Sequence, residues 1–200
     1  MRKKTEEKRQ VLVDAAFQVF CEVGFEQASM SEIAARVGAS KATLYRYFES
    51  KEAMFAEVIL ESAAQVHATF AQLKTSVPIR ETLMSFGKSY LTAVLKPQLV
   101  AMRRLAIHEG GLSHVGVLFY ERGPKVGWQM VTDFLQQSID AGQLRDCDAS
   151  VATAHLGALC EAELLQLCLL GVPADTTPRN VAKVVQRAVD VFLAAYGCTQ

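Results

Sequence analysis

The chain has 200 residues, of which 50% are apolar and 21% charged, and its 21 basic side chains are balanced by 21 acidic ones. This composition excludes an intrinsically disordered chain and is sufficient to build a sizeable core. The charge is unevenly spread, because residues 1–51 hold nine Lys or Arg against seven Asp or Glu while the rest holds twelve against fourteen, so the N-terminal part could either contact phosphate or form a solvated tail.

Apolar residues at three-and-four spacing predict helices in the N-terminal part of the chain. Gly24 and Gly38 each follow such a segment and are typical of a helix end. Ser40 can cap the segment that follows it, as Ser29 or Ser31 can cap the segment before. We predict helices over residues 6–23, 30–37, 41–48 and 51–73.

The rest of the chain is also predicted to be helical. Pro97 and Pro124 suit the first turn of a helix, and Gly142 and Gly171 suit the end of one. We predict helices over residues 79–95, 97–108, 124–141, 149–170 and 177–196, with a short apolar piece at 115–120. No alternating strand pattern and no internal repeat occurs beside them. The expected fold is therefore all-α, with about nine helices.

The helices predicted over 30–37 and 41–48 are joined by a tight turn at Gly38, which is the layout of a helix-turn-helix. In the second helix Leu44 and Phe48 are predicted to turn inward, and no acid occurs before Glu49. Its outward positions carry cations, hydroxyls and phenols, which can meet base edges and phosphates in a major groove. These outward residues are Lys41, Thr43, Tyr45, Arg46 and Tyr47.

The stretch from Ser29 to Phe55, SMSEIAARVGASKATLYRYFESKEAMF, resembles the helix-turn-helix of the TetR/AcrR family of bacterial transcription regulators. The resemblance covers about 50 residues and is specific, because many positions match at fixed spacing. It implies a DNA-binding head of three helices at residues 1–50, carried by a helical ligand-binding and dimerisation body at residues 51–200. The first helix of the head fits the family at Ala15, Ala16, Phe20, Gly24 and Phe25.

The resemblance also implies a role for each outward residue of the recognition helix, residues 41–47. The residues implied to approach bases are Lys41, Ala42, Thr43 and Tyr45, with Ser31 standing where some members place a base-reading residue. The residues implied to approach phosphates are Ser29, Ser40, Tyr45, Arg46, Tyr47 and Lys51. Three of these have a structural alternative, because Tyr47 could be half core, Arg46 could pair with a neighbouring acid and Lys51 could lie in solvent.

The last two predicted helices, 149–170 and 177–196, are apolar nearly all round. A helix of this kind must be covered on every side. We expect one chain of this size to leave part of these faces uncovered, and therefore predict a homodimer through the two helices, as the family resemblance also implies. Two heads related by a two-fold axis would read a palindromic operator of double-stranded DNA.

The middle helices carry aromatic and sulfur-containing residues that could be ordinary core or could line a mostly apolar ligand cavity. The segment FYERGP from Phe119 to Pro124, with the long helix that ends near Leu144, resembles the AefR-like branch of the family over about 60 residues. Glu161 and Glu163 could anchor a cation, although Glu163 could equally line the rim of the dimer. The candidate pocket residues are Phe86, Tyr90, Met102, Leu105, His108, Phe119, Trp128 and Leu159.

These features predict a DNA-binding transcription regulator, a repressor that a small lipophilic or aromatic effector releases from its operator. The alternative is a carrier of apolar ligands, or an enzyme, that uses the cavity of the body. The four histidines lack metalloprotease spacing, and no GxSxG, P-loop or dinucleotide-binding glycine pattern occurs. We therefore expect no enzyme activity and no metal or other cofactor, and the acid-poor face at 41–47 argues against a carrier.

The five cysteines form no CxxC pair, and Cys21, Cys160 and Cys168 lie in apolar helical stretches. This usage indicates a reduced, intracellular protein. No apolar run approaches the length of about 18 residues that a membrane span needs, and no apolar segment follows the N-terminal basic residues as in a signal peptide. We expect a soluble cytoplasmic protein without a membrane partner.

Overall fold

The structure is a computed structural model that describes residues 2–198, with the side chains of residues 6–64 and 66–198. This part of the chain is helical and forms no strand, which confirms the all-α class. In chain order the helices are α1 (Arg2–Gln27), α2 (Met30–Arg36), α3 (Lys41–Tyr47), α4 (Lys51–Phe70), α5 (Ile79–Val94), α6 (Pro97–Glu109), α7 (Val115–Arg122), α8 (Pro124–Asp140), α9 (Ala149–Glu161), α10 (Leu165–Leu170) and α11 (Pro178–Tyr196).

The described helices outnumber the nine or so that were predicted, for two reasons. The apolar piece at 115–120 forms the helix α7. The single helix predicted over 149–170 is wrong, because residues 162–164 form a turn that separates α9 from α10. Most positions on both sides of this turn are apolar, so the pattern has no change of period that could mark the break.

The chain divides into two compact units. The first unit holds the chain up to Ala63 and the segment Ala101–Gly123, and the second holds Ala64–Val100 and the chain from Pro124 onward. The helices α4 and α6 each begin in one unit and end in the other. The boundaries of the units therefore differ from the predicted division at residue 50. That division into a DNA-binding part and a ligand-binding part remains a prediction about function.

The core of the first unit is built on α1, α2, α3 and the start of α4, with residues of α6 and α7. Phe20, Phe25 and Phe55 pack with ring centroids 5.2 to 5.6 Å apart. Leu44 and Phe48 are buried against this cluster, as predicted from their spacing on the recognition helix. Burial of these large side chains stabilises the head, since each contributes about 1.5–3 kcal/mol of transfer free energy.

The second unit packs α5, α8, α9 and α11 around one apolar core. Two pairs of helices approach closely at glycines: a Cβ on Gly87 of α5 would lie 2.6 Å from a methyl of Val185 on α11, and one on Gly127 of α8 would lie 2.6 Å from the ring of Phe70 on α4. The core of this unit therefore depends on the absence of a side chain at these positions.

The described part of the chain offers neither a membrane-spanning helix nor a cluster of metal ligands. None of its helices is both long and apolar enough to cross a bilayer. Among the same residues no group of three or more His, Cys, Asp or Glu side chains could hold a metal ion.

Candidate nucleic-acid interface

Serine caps define both helices of the helix-turn-helix. Ser29 Oγ accepts the backbone N–H of Glu32 at 3.2 Å and starts α2, and Ser40 Oγ accepts the backbone N–H of Thr43 at 3.2 Å and starts α3. Each such cap contributes about 1 kcal/mol to helix stability. Between the helices Gly38 has φ +64°, a conformation that glycine adopts at low cost. The turn is thus determined by residues within it.

The exposed face of α3 combines cations with phenol rings. Lys41, Ala42, Tyr45 and Arg46 are exposed, whereas Leu44 between them is completely buried. Lys41 Nζ lies 5.8 Å from the centroid of the Tyr45 ring, a cation–π distance that holds both side chains on the same face. The helix, with sequence KATLYRY, contains no acid. This face is therefore positively charged and rich in groups that can contact DNA.

Thr43 is half-buried at the start of the same helix. Its hydroxyl lies 2.9 Å from Ser40 Oγ, so the two hydroxyls hydrogen-bond to each other. This bond uses part of the capacity of the hydroxyl, and the methyl group of Thr43 is a second part of the side chain that can make an outside contact.

For Tyr47 and Arg46 the sequence left open either a phosphate contact or a structural role. Tyr47 is half-buried and packs against the core of the first unit, as the structural alternative proposed. The Arg46 guanidinium carbon lies 5.6 Å from the centroid of the Tyr47 ring, so this cation stands over an aromatic ring. Ser29, Ser31 and Ser40 are exposed on the same part of the chain.

The position of Lys51 matches neither of the two predicted roles, a phosphate contact or a side chain in solvent. Its Nζ donates to the backbone carbonyls of Phe25 at 2.7 Å, Glu26 at 3.1 Å and Ala28 at 3.1 Å. An ammonium has three N–H donors, and these three bonds use all of them. Lys51 therefore caps the end of α1, which argues against the predicted phosphate contact and against a lysine lying in solvent. Its partners are more than 20 residues away in sequence, so no local pattern could have indicated them.

A bidentate ion pair joins α1 to α2. Both terminal nitrogens of Arg36 donate to the carboxylate of Glu22 at 2.6 Å. These hydrogen bonds lower the pKa of Glu22 below its ordinary value. The pair is exposed, so it contributes little to the stability of the fold.

Glu109 is a further residue of this region that the sequence did not single out. It is the last residue of α6, it is buried, and its Oε1 accepts the backbone N–H of Phe25 at 2.8 Å. A lone acid at the end of a helix is ordinarily exposed, and no signal in the sequence marks this one as buried.

The eight candidate pocket residues fall into both units. In the second unit Phe86, Tyr90 and Trp128 join Phe70 in an aromatic cluster with centroids 5.0 to 6.4 Å apart. The buried hydroxyl of Tyr90 donates to the Glu161 carboxylate. Leu159 packs against the core that contains this cluster.

The other four candidates lie in the first unit. Met102 and Leu105 are buried in its core, Phe119 packs partly against it, and His108 is exposed. Leu105 and His108 also line an open cleft of about 390 Å³ between the end of α1 and α6. These four residues therefore have roles within the first unit that the sequence did not distinguish from a ligand pocket.

Apolar side chains remain exposed on α9 and α11 when the chain is taken alone. Val151 on α9 is 46% exposed and Val191 on α11 is 54% exposed. Small residues are also exposed on these helices, namely Ala154 and Ala158 on α9 and Ala194 and Ala195 on α11, beside the polar His155, Arg187 and Asp190. Small residues allow two helices to approach closely, so these faces suit helix–helix packing.

Burial makes two of the thiols poor nucleophiles. Burial raises the pKa of Cys21 to about 11 and that of Cys160 to about 12, so both are protonated at neutral pH. A thiol in this state does not act as a nucleophile or metal ligand. Both cysteines instead contribute to packing.

Comparison with known proteins assigns both parts of the chain to families. Residues 12–58 match the family described as bacterial regulatory proteins, tetR family, and residues 81–198 match the AefR-like transcriptional repressor, C-terminal domain. The nucleoid occlusion factor SlmA of Haemophilus influenzae strain PittGG is 27% identical over 171 residues, which is 80% of this chain and 75% of that protein. The HTH-type transcriptional regulator YdgC of Bacillus subtilis strain 168 is 41% identical over 66 residues, 33% of this chain and 34% of that protein.

Solved structures share the fold over nearly the whole chain. The flavonoid-responsive regulator FrrA is 32% identical, with a TM-score of 0.82, covering 98% of this chain and 100% of its own. A tetR-family regulator from Mesorhizobium loti MAFF303099 is 25% identical, also with a TM-score of 0.82, covering 96% of this chain and 98% of its own. The similarity therefore extends beyond the head into the C-terminal helices.

Proposed function

Because the chain belongs to the tetR family of bacterial regulatory proteins and is a DNA-binding transcriptional regulator, we propose that it is a cytoplasmic repressor released from its operator by a small molecule. The observation that carries this proposal is the acid-free face of α3, on which Lys41, Tyr45 and Arg46 are exposed around a buried Leu44. An exposed tyrosine between two cations has little structural use, and it suits a surface that binds phosphates and bases.

The proposed interface has a base-reading part and a phosphate-binding part. We assign Lys41, Ala42, Thr43 and Tyr45, with Ser31 on α2, to the bases. Hydroxyls and cations at the edge of this face are assigned to the phosphates, since such contacts fix the position of a protein on the duplex. The phosphate residues are Ser29, Ser40, Arg46 and Tyr47, and Lys51 is left out because its donors are engaged.

We propose that two copies pair through α9 and α11. The exposed apolar residues of these helices, Val151 and Val191 among them, would be covered by the same helices of the partner. A two-fold axis between the copies would present two recognition helices to a palindromic operator, in major grooves about one helical turn apart.

The effector is proposed to be lipophilic or aromatic. The largely buried aromatic cluster of Phe70, Phe86, Tyr90 and Trp128, with the Glu161 carboxylate at the Tyr90 hydroxyl, brings apolar rings together beside a polar anchor. FrrA is named as flavonoid-responsive, which supports an aromatic effector here. Effector binding would favour a state in which α4 tilts and the two recognition helices no longer fit the operator, to the extent that the effector prefers that state.

A footprint on the DNA upstream of the gene tests this function. We expect two protected half-sites about one helical turn apart, and loss of protection when a lipophilic aromatic compound that the protein binds is added. Absence of protection at micromolar protein and physiological salt would contradict the proposal and favour a carrier of apolar ligands. Protection that no bound compound relieves would contradict only the release step.

Thr43 is predicted to read a thymine through its methyl group. The variants Thr43→Ser and Thr43→Val separate the two parts of the side chain, because the first keeps the hydroxyl and the second keeps the methyl. Apolar contact between a threonine methyl and the thymine methyl is a known mode of base reading. Replacing the contacted thymine by uracil should weaken binding of the wild type and of Thr43→Val about threefold to fivefold, as expected for one buried methyl.

The measurement is the affinity of each variant for the thymine and the uracil duplex, by fluorescence anisotropy. The Thr43→Ser variant should bind both duplexes equally. If Thr43→Ser discriminates between the two duplexes as the wild type does, the Thr43 methyl does not contact the thymine methyl and the assignment is wrong.

A further inference from the structure

Glu109 is a buried carboxylate whose two oxygens both accept hydrogen bonds. It is 2% exposed at the end of α6, its Oε1 accepts the backbone N–H of Phe25 at 2.8 Å, and its Oε2 accepts the hydroxyl of Ser113 at 3.0 Å. Burying a carboxylate is costly unless its oxygens are hydrogen-bonded. The Phe25 N–H is the donor that satisfies the first oxygen, so the burial of Glu109 depends on the position of Phe25.

The same residue, Phe25, is held from its other side by a cation. Its carbonyl accepts from Lys51 Nζ at 2.7 Å, and that ammonium lies 4.5 Å from the centroid of the Phe25 ring. The first residue of α4 and the last residue of α6 thus hold the carbonyl and the N–H of one residue. These ends of α4 and α6 lie in the first unit, and the opposite ends of both helices lie in the second.

A break in α1 frees the N–H of Phe25 for this contact. Gly24 has φ +83° and ψ 168°, which is outside the helical region, so the regular pattern of bonds is interrupted at this point. A Cβ at position 24 would lie 3.3 Å from Glu109 Oε1, so glycine also leaves room for the carboxylate. Four residues after Phe25 the chain reaches Ser29, the cap of α2.

We propose that Glu109 is a positioning residue for DNA reading, which places Phe25 and through it the start of the helix-turn-helix. The proposal rests on the DNA-binding function above and adds a residue outside the head to it. Glu109 touches no DNA; it acts through the Phe25 N–H, the chain from 25 to 29 and the Ser29 cap. The end of α6 is thereby tied to the segment that leads into α2, in addition to the α4 contact made by Lys51.

The test compares Glu109→Ala, Glu109→Gln and Val13→Ala in the full-length protein. The glutamine variant keeps an oxygen that can accept from Phe25 and an amide that can donate to Ser113. Val13 is buried in α1 and has no part in the Phe25 contacts, so Val13→Ala is the control for a general loss of stability. Each variant is measured for its affinity to a duplex that the wild type selects from a random-sequence library, and for amide exchange at residues 25–29 without DNA.

We expect Glu109→Ala to bind the selected duplex at least about tenfold more weakly and to exchange faster at residues 25–29, because it leaves a buried N–H unpaired. Glu109→Gln should stay within about threefold of wild type in affinity, since a neutral acceptor preserves the bond. Val13→Ala should retain affinity at temperatures at which it is folded, whatever its melting temperature.

Three outcomes overturn the proposal. The first is native affinity in Glu109→Ala, and the second is a Glu109→Gln variant as impaired as the alanine variant. The third is an equal loss in Glu109→Ala and Val13→Ala when compared at equal fractions folded.

If Glu109→Ala does not fold, amide exchange at residues 25–29 in two other variants tests the proposal. We expect unchanged protection in Glu109→Gln and faster exchange in Ser113→Ala. If the wild type selects no duplex, the DNA-binding interface itself is wrong, while the exchange data still decide whether Glu109 places Phe25.

Discussion

Removal of the Tyr45 side chain by Tyr45→Ala is expected to weaken operator binding by roughly tenfold to a hundredfold, corresponding to about 1.4–2.8 kcal/mol. Tyr45 is 47% exposed on α3, and its ring supports the Lys41 ammonium through a cation–π contact. Loss of the ring would therefore remove its own contact area and loosen the neighbouring cation. Titration of a fluorescent operator duplex at several salt concentrations gives both the affinity and its salt dependence.

Two further variants define what the Tyr45 result means. Tyr120 on α7 is 54% exposed and lies outside the proposed interface, so Tyr120→Ala is the matched control and should bind as the wild type does. Lys41→Ala should cost about 1–3 kcal/mol and reduce the preference for one base pair, because a lysine that contacts a base edge carries sequence information. Wild-type affinity in both Tyr45→Ala and Lys41→Ala would show that this face of α3 does not enter the groove.

The second large effect is expected at α11, where Val191→Glu should convert the proposed dimer into a monomer. Val191 is 54% exposed in the single chain, so the substitution leaves the core of the second unit intact. Across a two-fold axis the change introduces two buried acids, and like charges brought together in an interface cost several kcal/mol. The dimer dissociation constant should rise by about a hundredfold or more. Sedimentation velocity over a range of concentrations measures this constant.

The matched control for this prediction is Val117→Glu on α7. Val117 is 65% exposed and is not part of α9 or α11, so the same charge placed there should leave the oligomeric state unchanged. Circular dichroism should show equal helix content in both variants. A Val191→Glu protein that remains dimeric at nanomolar concentration would contradict pairing through α11, and Val151→Glu would then test α9 by itself.

The secondary structure of the head was predictable because its signals are local. Ser40 and Gly38 define the start of α3 and the turn before it through bonds and torsions within a few residues, and the spacing of Leu44 and Phe48 identifies the buried side. The same holds at α11, which starts at Pro178 after the capping Thr177. Between α9 and α10 most positions are apolar and the turn at 162–164 holds no glycine or proline, so the pattern did not mark it.

The candidate site was only partly predictable for a different reason. Lys41 and Lys51 are ten positions apart and look equivalent in the sequence, yet one is exposed on α3 and the other donates to three carbonyls at the end of α1. The candidate pocket residues likewise divided between two units, because α6 leaves the second unit near residue 100 and no composition change marks that point.

By itself the sequence determined the all-α class, the helix-turn-helix and the buried positions Leu44 and Phe48, since caps, turns and helical spacing act over a few residues. Only the tertiary structure decided which charged side chains remain available to a ligand. Lys51 and Glu109 are held by the backbone carbonyl and N–H of Phe25, which is distant from both in the chain. Because nearly every residue has these backbone groups, no side-chain pattern could predict the two contacts.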